Sequence, residues 1–292
     1  MRSMRKNLLR VLGESWKSYR HRFVPWIALN LGKNERTLRQ VKHLDEDKRL
    51  DDDRVISFLL NLFTELLRND ASNQTEQLRL LRSSSRDYYI THNAAVRSPE
   101  VSPCEIMLHT LGFCVEKMAS SLPAAGIGVF VSRGQVPKGV PVAMYPGTIY
   151  QADEPILFQS IRNPFIFRCI DGVLIDGNDR GLSRLVFRSC SGRDQLGPFH
   201  LCDHSWLTPR PENPLAVGQY VNNCSKEKAA NVCYQEFDVP EDFPIELHQY
   251  LPNVNYRPNM QRRLRCIVLV SLRDINKGEE LFSNYYTIVH DS

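Results

Sequence analysis

The spacing of apolar residues along the chain changes once, near Pro123. From Asp51 to Arg82, Val55, Leu59, Leu62, Phe63, Leu66 and Leu67 recur at three- and four-residue steps, which predicts a helix with one buried stripe. Asp51, Asp52 and Asp53 suit the positive end of its dipole. Leu78 and Leu81 predict a further short helix, and the polar segment from Ser83 to Val101, with Pro99, reads as a linker. Helix resumes from Cys104 to Ser121 behind Pro103, with Ile106, Leu108, Leu111, Phe113 and Val115 on its buried side. Residues 1–122 are therefore expected to form a helical, accessory N-terminal region.

Beyond Pro123 the pattern becomes short β segments punctuated by Gly and Pro. Strands are expected at Gly128 to Val131, Val140 to Tyr145, Phe165 to Cys169, Val173 to Ile175, Asn231 to Phe237 and Cys266 to Val270. Lys138-Gly139, Asp171-Gly172 and Asp176-Gly177-Asn178 supply turns between them. Helical runs do not alternate with these strands, which argues against a doubly wound sheet.

Composition narrows the class without naming a function. The chain has 292 residues, 42% hydrophobic and 24% charged, which is ordinary for a globular protein. No apolar run reaches the roughly 18 residues a membrane span needs. A net charge of +4 gives no argument for direct nucleic-acid binding. The eight cysteines contain no C-x-x-C pair and follow no secretory signal, so they are expected to be reduced, in an intracellular protein. Residues 1 to 22 carry seven Lys or Arg against Glu14 alone. Three readings stay open for them: a mitochondrial transit peptide, a basic surface helix, or a helix docked through Trp16, Phe23 and Trp26. Without cleavage the location would be nuclear or cytoplasmic.

Few local patterns carry chemistry alone. Gly126-Ile127-Gly128 lets backbone approach a ligand, but a strand follows where a dinucleotide site requires a helix. His200, Cys202 and His204 alternate along an extended segment, and spacing suggests no fourth ligand, so no metal is expected. Asn222-Asn223 can be a turn or a binding segment. Arg262, Arg263 and Arg265 are basic enough to meet an acidic partner, with an exposed strand end as the plainer reading.

Taken in order, Gly126-Ile127-Gly128-Val129-Phe130, Tyr145-Pro146-Gly147, Ile175-Asp176-Gly177, Val221-Asn222-Asn223-Cys224 and the run from Arg273 to Leu281 with Asn284-Tyr285 resemble the SET-domain protein lysine methyltransferases. The resemblance implies an α+β protein: a SET domain of small twisted sheets over 123–289, with knot-like threading of the C-terminal segment, behind the helical region. Inserts fall near 184–214 and 238–263. It implies S-adenosylmethionine as cofactor, lying against Gly126, Ile127 and Gly128 and held by Asn222 and the backbone of Asn223. Tyr285 would be the catalytic tyrosine, Tyr145 would line a lysine channel, and the partner would be a lysine-bearing protein substrate. The family pattern has Arg-Phe at Gln219-Tyr220, His at Asn223 and Asp at Asn284. These departures leave a second reading, a SET-fold binding or scaffold protein without catalysis.

Overall fold

A computed structural model describes residues 38–41, 48–84, 101–123, 125–196, 199–258 and 263–289. The basic segment 1–22 and most of the expected linker lie outside the described residues. In chain order the elements are β1 (Leu38–Val41), α1 (Asp52–Ser84), α2 (Pro103–Leu111), β2 (Phe113–Ala119), β3 (Ile127–Gly134), β4 (Pro141–Met144), β5 (Gly147–Tyr150), α3 (Leu157–Ser160), β6 (Ile166–Arg168) and β7 (Leu174–Asp176). They continue with α4 (Gly181–Arg193), β8 (Gln195–Leu196), β9 (Phe199–His200), β10 (Asn222–Asn223), β11 (Val232–Asp238), β12 (Asn253–Asn255), β13 (Arg265–Ser271), β14 (Phe282–Ser283) and β15 (Tyr286–Val289).

One sheet runs β10-β14-β11-β13-β4, and another β12-β5-β7-β6. β13 lies inside the first, between β11 and β4, and all of Cys266 to Ser271 is buried, as its unbroken apolar run requires. β2 and β3 form an antiparallel pair, and β1 runs parallel to β15. Val55, Leu59, Leu62 and Phe63 of α1 share one buried cluster with these sheets. Leu78 and Leu81 belong to the same continuous α1 and not to a separate short helix.

The expected helix from Cys104 to Ser121 ends early. Ser102 and Glu105 form a capping box at its start, and Gly112 ends it at φ 82°, its N–H donating to the Leu108 carbonyl. Phe113 to Ala119 then turn back as β2, in register with Gly134 to Ile127. A second correction concerns the cysteines: Cys104 and Cys114 are joined by a disulfide across that cap, while the other six are buried thiols. α4 was not expected, because its apolar residues are interrupted by arginines. It covers a smaller core of Phe187, Cys190, Trp206 and Val254.

Candidate active site

The segment 278–285 is held from both sides. On one side it bonds to β3: the Val131 N–H donates to the Glu279 carbonyl at 3.0 Å, and the Leu281 N–H to the Val129 carbonyl at 2.7 Å. On the other, Asn231 acts as a strand in miniature. Its Nδ2 donates to the Glu280 carbonyl, and the Phe282 N–H donates to its Oδ1, both at 2.8 Å. Asn231 is buried, so these bonds are shielded from competing water.

β10 then lies parallel to β14, with Asn222 opposite Phe282 and Asn223 opposite Ser283. The Asn223 side chain takes a backbone hydrogen bond from Tyr285, its Oδ1 accepting the N–H at 3.0 Å. The Tyr285 phenol donates to the Val221 carbonyl at 2.8 Å. Tyr285 is thus tied to residues 221 and 223 by main chain and side chain at once, and Asn223, where the family pattern has His, supplies one of the two ties.

Asn222 points its amide elsewhere. Its Nδ2 lies 3.1 Å from the Ile127 carbonyl, the Ser120 hydroxyl and Glu280 Oε1. Glu280 also accepts from the Ser120 hydroxyl at 2.7 Å, the Ser121 N–H at 2.8 Å and the Ser121 hydroxyl at 2.6 Å. Burial works to raise the Glu280 carboxyl, but these bonds, those from Ser121 foremost, outweigh it and hold the group below the usual carboxylate range. A Cβ at residue 128 would collide with Oε1 and stand 2.8 Å from Cδ, so only glycine fits there. Glu280, Asn231, Ser120 and Ser121 were not anticipated as site residues; a Glu after Gly278-Glu279 reads as solvated turn until the 120–127 loop folds over it.

Gly126 and Gly128 therefore serve different ends. Gly126 has φ 77° and open space where a Cβ would stand, while Gly128 is closed off by protein. Ile127 between them is 39% exposed. The fit to a ligand with an amino-acid end rests on Gly126 and on Asn222 Oδ1. That oxygen accepts no hydrogen bond from the described residues, so it retains capacity for an ammonium proton.

Tyr145 is fully buried, its hydroxyl donating to the Phe165 carbonyl at 2.7 Å. Burial, with Tyr234, Tyr285 and Asp176 nearby, pushes its ionisation far above the ordinary range, so the phenol stays neutral. Its ring stands against Phe167 and Tyr234 at centroid distances of 5.3 and 6.2 Å. Gly177 is packed on the same ring, since a Cβ there would come within 2.7 Å of Cε1. Gln219 is buried nearby, 3.2 Å from that position at its Cβ, and neither atom of its amide has a hydrogen-bond partner among the described residues. Tyr220 donates to Asp179 at 2.5 Å, with the Lys117 ammonium over its ring.

The ring centroids of His200 and His204 lie 5.4 Å apart, but among the described residues only Cys169, Asp171 and Glu236 bring three ligand atoms together. Arg265 already occupies that acidic group, 3.1 Å from Asp171 and 2.9 Å from Glu236, and it also meets Asp238 at 2.6 Å. The acidic partners of Arg265 are thus internal.

The SET domain family matches residues 58–286. The chain belongs to the SET-domain family. SET domain-containing protein 9 of Homo sapiens is 57% identical over 294 residues, covering 97% of this chain and 98% of that one. SET domain-containing protein 9 of Pongo abelii is 56% identical over 265 residues, covering 87% and 97%. Among solved structures, Chaetomium thermophilum Polycomb Repressive Complex 2 bound to the inhibitor GSK126 is 17% identical at a TM-score of 0.32. That match covers 59% of this chain and 16% of the other. The SET fold, α+β with small sheets, is the architecture described above. Among the described residues no helix is long and apolar enough to cross a membrane.

Proposed function

We propose that this SET-domain protein transfers a methyl group from S-adenosylmethionine to a lysine amine of a protein substrate. The observation that carries the reading is the double tether of Tyr285, whose N–H is held by Asn223 and whose phenol is held by the Val221 carbonyl. The tether fixes the phenol beside the segment that bears Asn222.

The bound cofactor would supply an activated methyl on a positive sulfur. Asn222 Oδ1 would take a hydrogen bond from its ammonium, and the open face at Gly126 would admit its bulk. Tyr145 and Tyr285, each with its phenol proton donated to a backbone carbonyl, would line the approach of the amine. Burial around Tyr145, Phe167 and Tyr234 would favour the neutral amine over the ammonium, which the attack requires. The residues named would hold the neutral amine in line with the methyl that the cofactor would supply. No charged residue of the chain is consumed.

Calorimetry of the full chain with S-adenosylmethionine, followed by radiolabelled methyl transfer to lysate proteins, tests the proposal. Saturable binding and label on protein lysine support it. A folded protein that takes up no cofactor overturns it, and binding without transfer returns the scaffold reading.

A further inference from the structure

One face carries an unusual density of exposed apolar side chains. Leu157 and Phe158 in α3 are 68% and 74% exposed, and Ile161, Leu182 and Leu185 stand open beside them. Contiguous apolar surface on a soluble domain marks an interaction site. The face is also built rigidly. Asn163 Nδ2 donates to the Gln159 carbonyl of α3 at 2.9 Å, to Asp176 of β7 at 2.8 Å and to Ser183 of α4 at 3.3 Å, locking three elements together. The turn beneath it holds Arg162 at φ 53°, the one non-glycine residue with positive φ among the described residues, a conformation kept only where the surroundings enforce it.

Charge selects the occupant. Arg180, Arg184 and Arg188 recur at four-residue steps along α4, which contains no acidic residue, and Arg162 joins them from the preceding turn. Arg180 meets Asp179 at 3.6 Å with most of its side chain exposed. Among the described residues no carboxylate pairs with Arg162, Arg184 or Arg188. Like charges at this spacing repel, and the first turn of α4 has no acid to complement the helix dipole. Of the four arginines, Asp179 meets Arg180 alone, and the other three pair with no carboxylate of the described residues.

We propose that the α3–α4 face docks an acidic segment of a partner protein that carries apolar anchor side chains. The apolar residues would seat the anchors and the arginines would meet the flanking carboxylates, the usual division between the core and rim of an interface. A nucleic acid would answer the arginines but would leave Phe158 and Leu185 uncovered. The proposal concerns binding and does not depend on methyl transfer.

The test is fluorescence anisotropy with the full chain and four labelled probes: a helical peptide of Leu and Glu, the same peptide with Gln for Glu, the same with Lys for Glu, and a short DNA duplex. The Leu/Glu peptide should bind most tightly, and the double variant Arg184→Glu/Arg188→Glu should weaken it by about tenfold or more. Phe158→Ser should weaken it without altering its salt dependence. Equal affinity for the Gln peptide, or an affinity unmoved by these variants, overturns the proposal. So does tighter binding of the duplex that is lost in the arginine variant. Unchanged thermal melting of both variants shows that the fold is intact.

Discussion

The carboxylate of Glu280 occupies the space that a side chain on residue 128 would need, so Gly128 and Glu280 are fitted to one another. The pair joins β3 to the C-terminal segment and, through Asn222, to the clamp strand.

Gly128→Ala should destabilise the protein by about 2 to 3 kcal/mol, since the added methyl must displace a hydrogen-bonded carboxylate. Gly126→Ala meets no neighbour and should cost about 1 kcal/mol from its positive φ alone. Adding Glu280→Ala to Gly128→Ala should give a loss smaller than the sum of the two single losses. Denaturant melts of the set measure this, and strict additivity would show that the residues do not share the space.

All four groups bonded to the Glu280 side chain are donors. Glu280→Gln should therefore cost about 2 to 4 kcal/mol at pH 7, because an amide nitrogen must face a donor. The folded carboxyl lies below its unfolded value, near 4.5. Its contribution is present above that value and is lost as pH falls through the folded one. The advantage of the parent over the variant should therefore shrink below about pH 4.5, measured by thermal melting across acid pH.

Tyr285→Phe removes the bond to the Val221 carbonyl but keeps the one to Asn223. Cofactor affinity should change by less than about twofold, while methyl transfer falls by about tenfold or more. Calorimetry and a single-turnover assay separate the two. Transfer at the parental rate would mean that another group holds the amine.

Asp203 is buried, with Oδ1 accepting from the Ser205 N–H at 2.6 Å, and burial pushes its carboxyl up to about 7. Its folded form holds a proton that the unfolded chain releases near 3.8. Stability should fall as pH rises from about 4 to 7, by up to about 1.4 kcal/mol per unit from this group, and Asp203→Asn should remove that slope. Urea midpoints across that range measure it.

Much of the β-rich part was legible in the sequence, because the strands at 128–131, 140–145, 165–169, 173–175, 231–237 and 266–270 are marked by apolar runs between turn residues. α4 was not, since three arginines broke its apolar stripe and its buried side consists of small or scattered residues such as Ser183 and Phe187. The helix at 104–121 was drawn too long because Phe113 and Val115 continue its period, whereas Gly112 in the left-handed region decides the boundary. The ordered series of motifs pointed to the family, but single positions did not reveal their work. Asn223 looked like the least secure member of its motif, and its side chain turns out to hold the Tyr285 backbone. Glu280 stood within its motif without a role of its own, because what buries it lies some 160 residues earlier.

The Asn223 to Tyr285 bond spans 62 residues of sequence. During synthesis the clamp strand leaves the ribosome long before the segment it must grip, and Asn231 waits with it. A chain stopped anywhere between lacks the tether of Tyr285, and one stopped before Arg265 lacks β13 as well, so the first sheet and the clamp are completed together only when residues 280–285 have emerged.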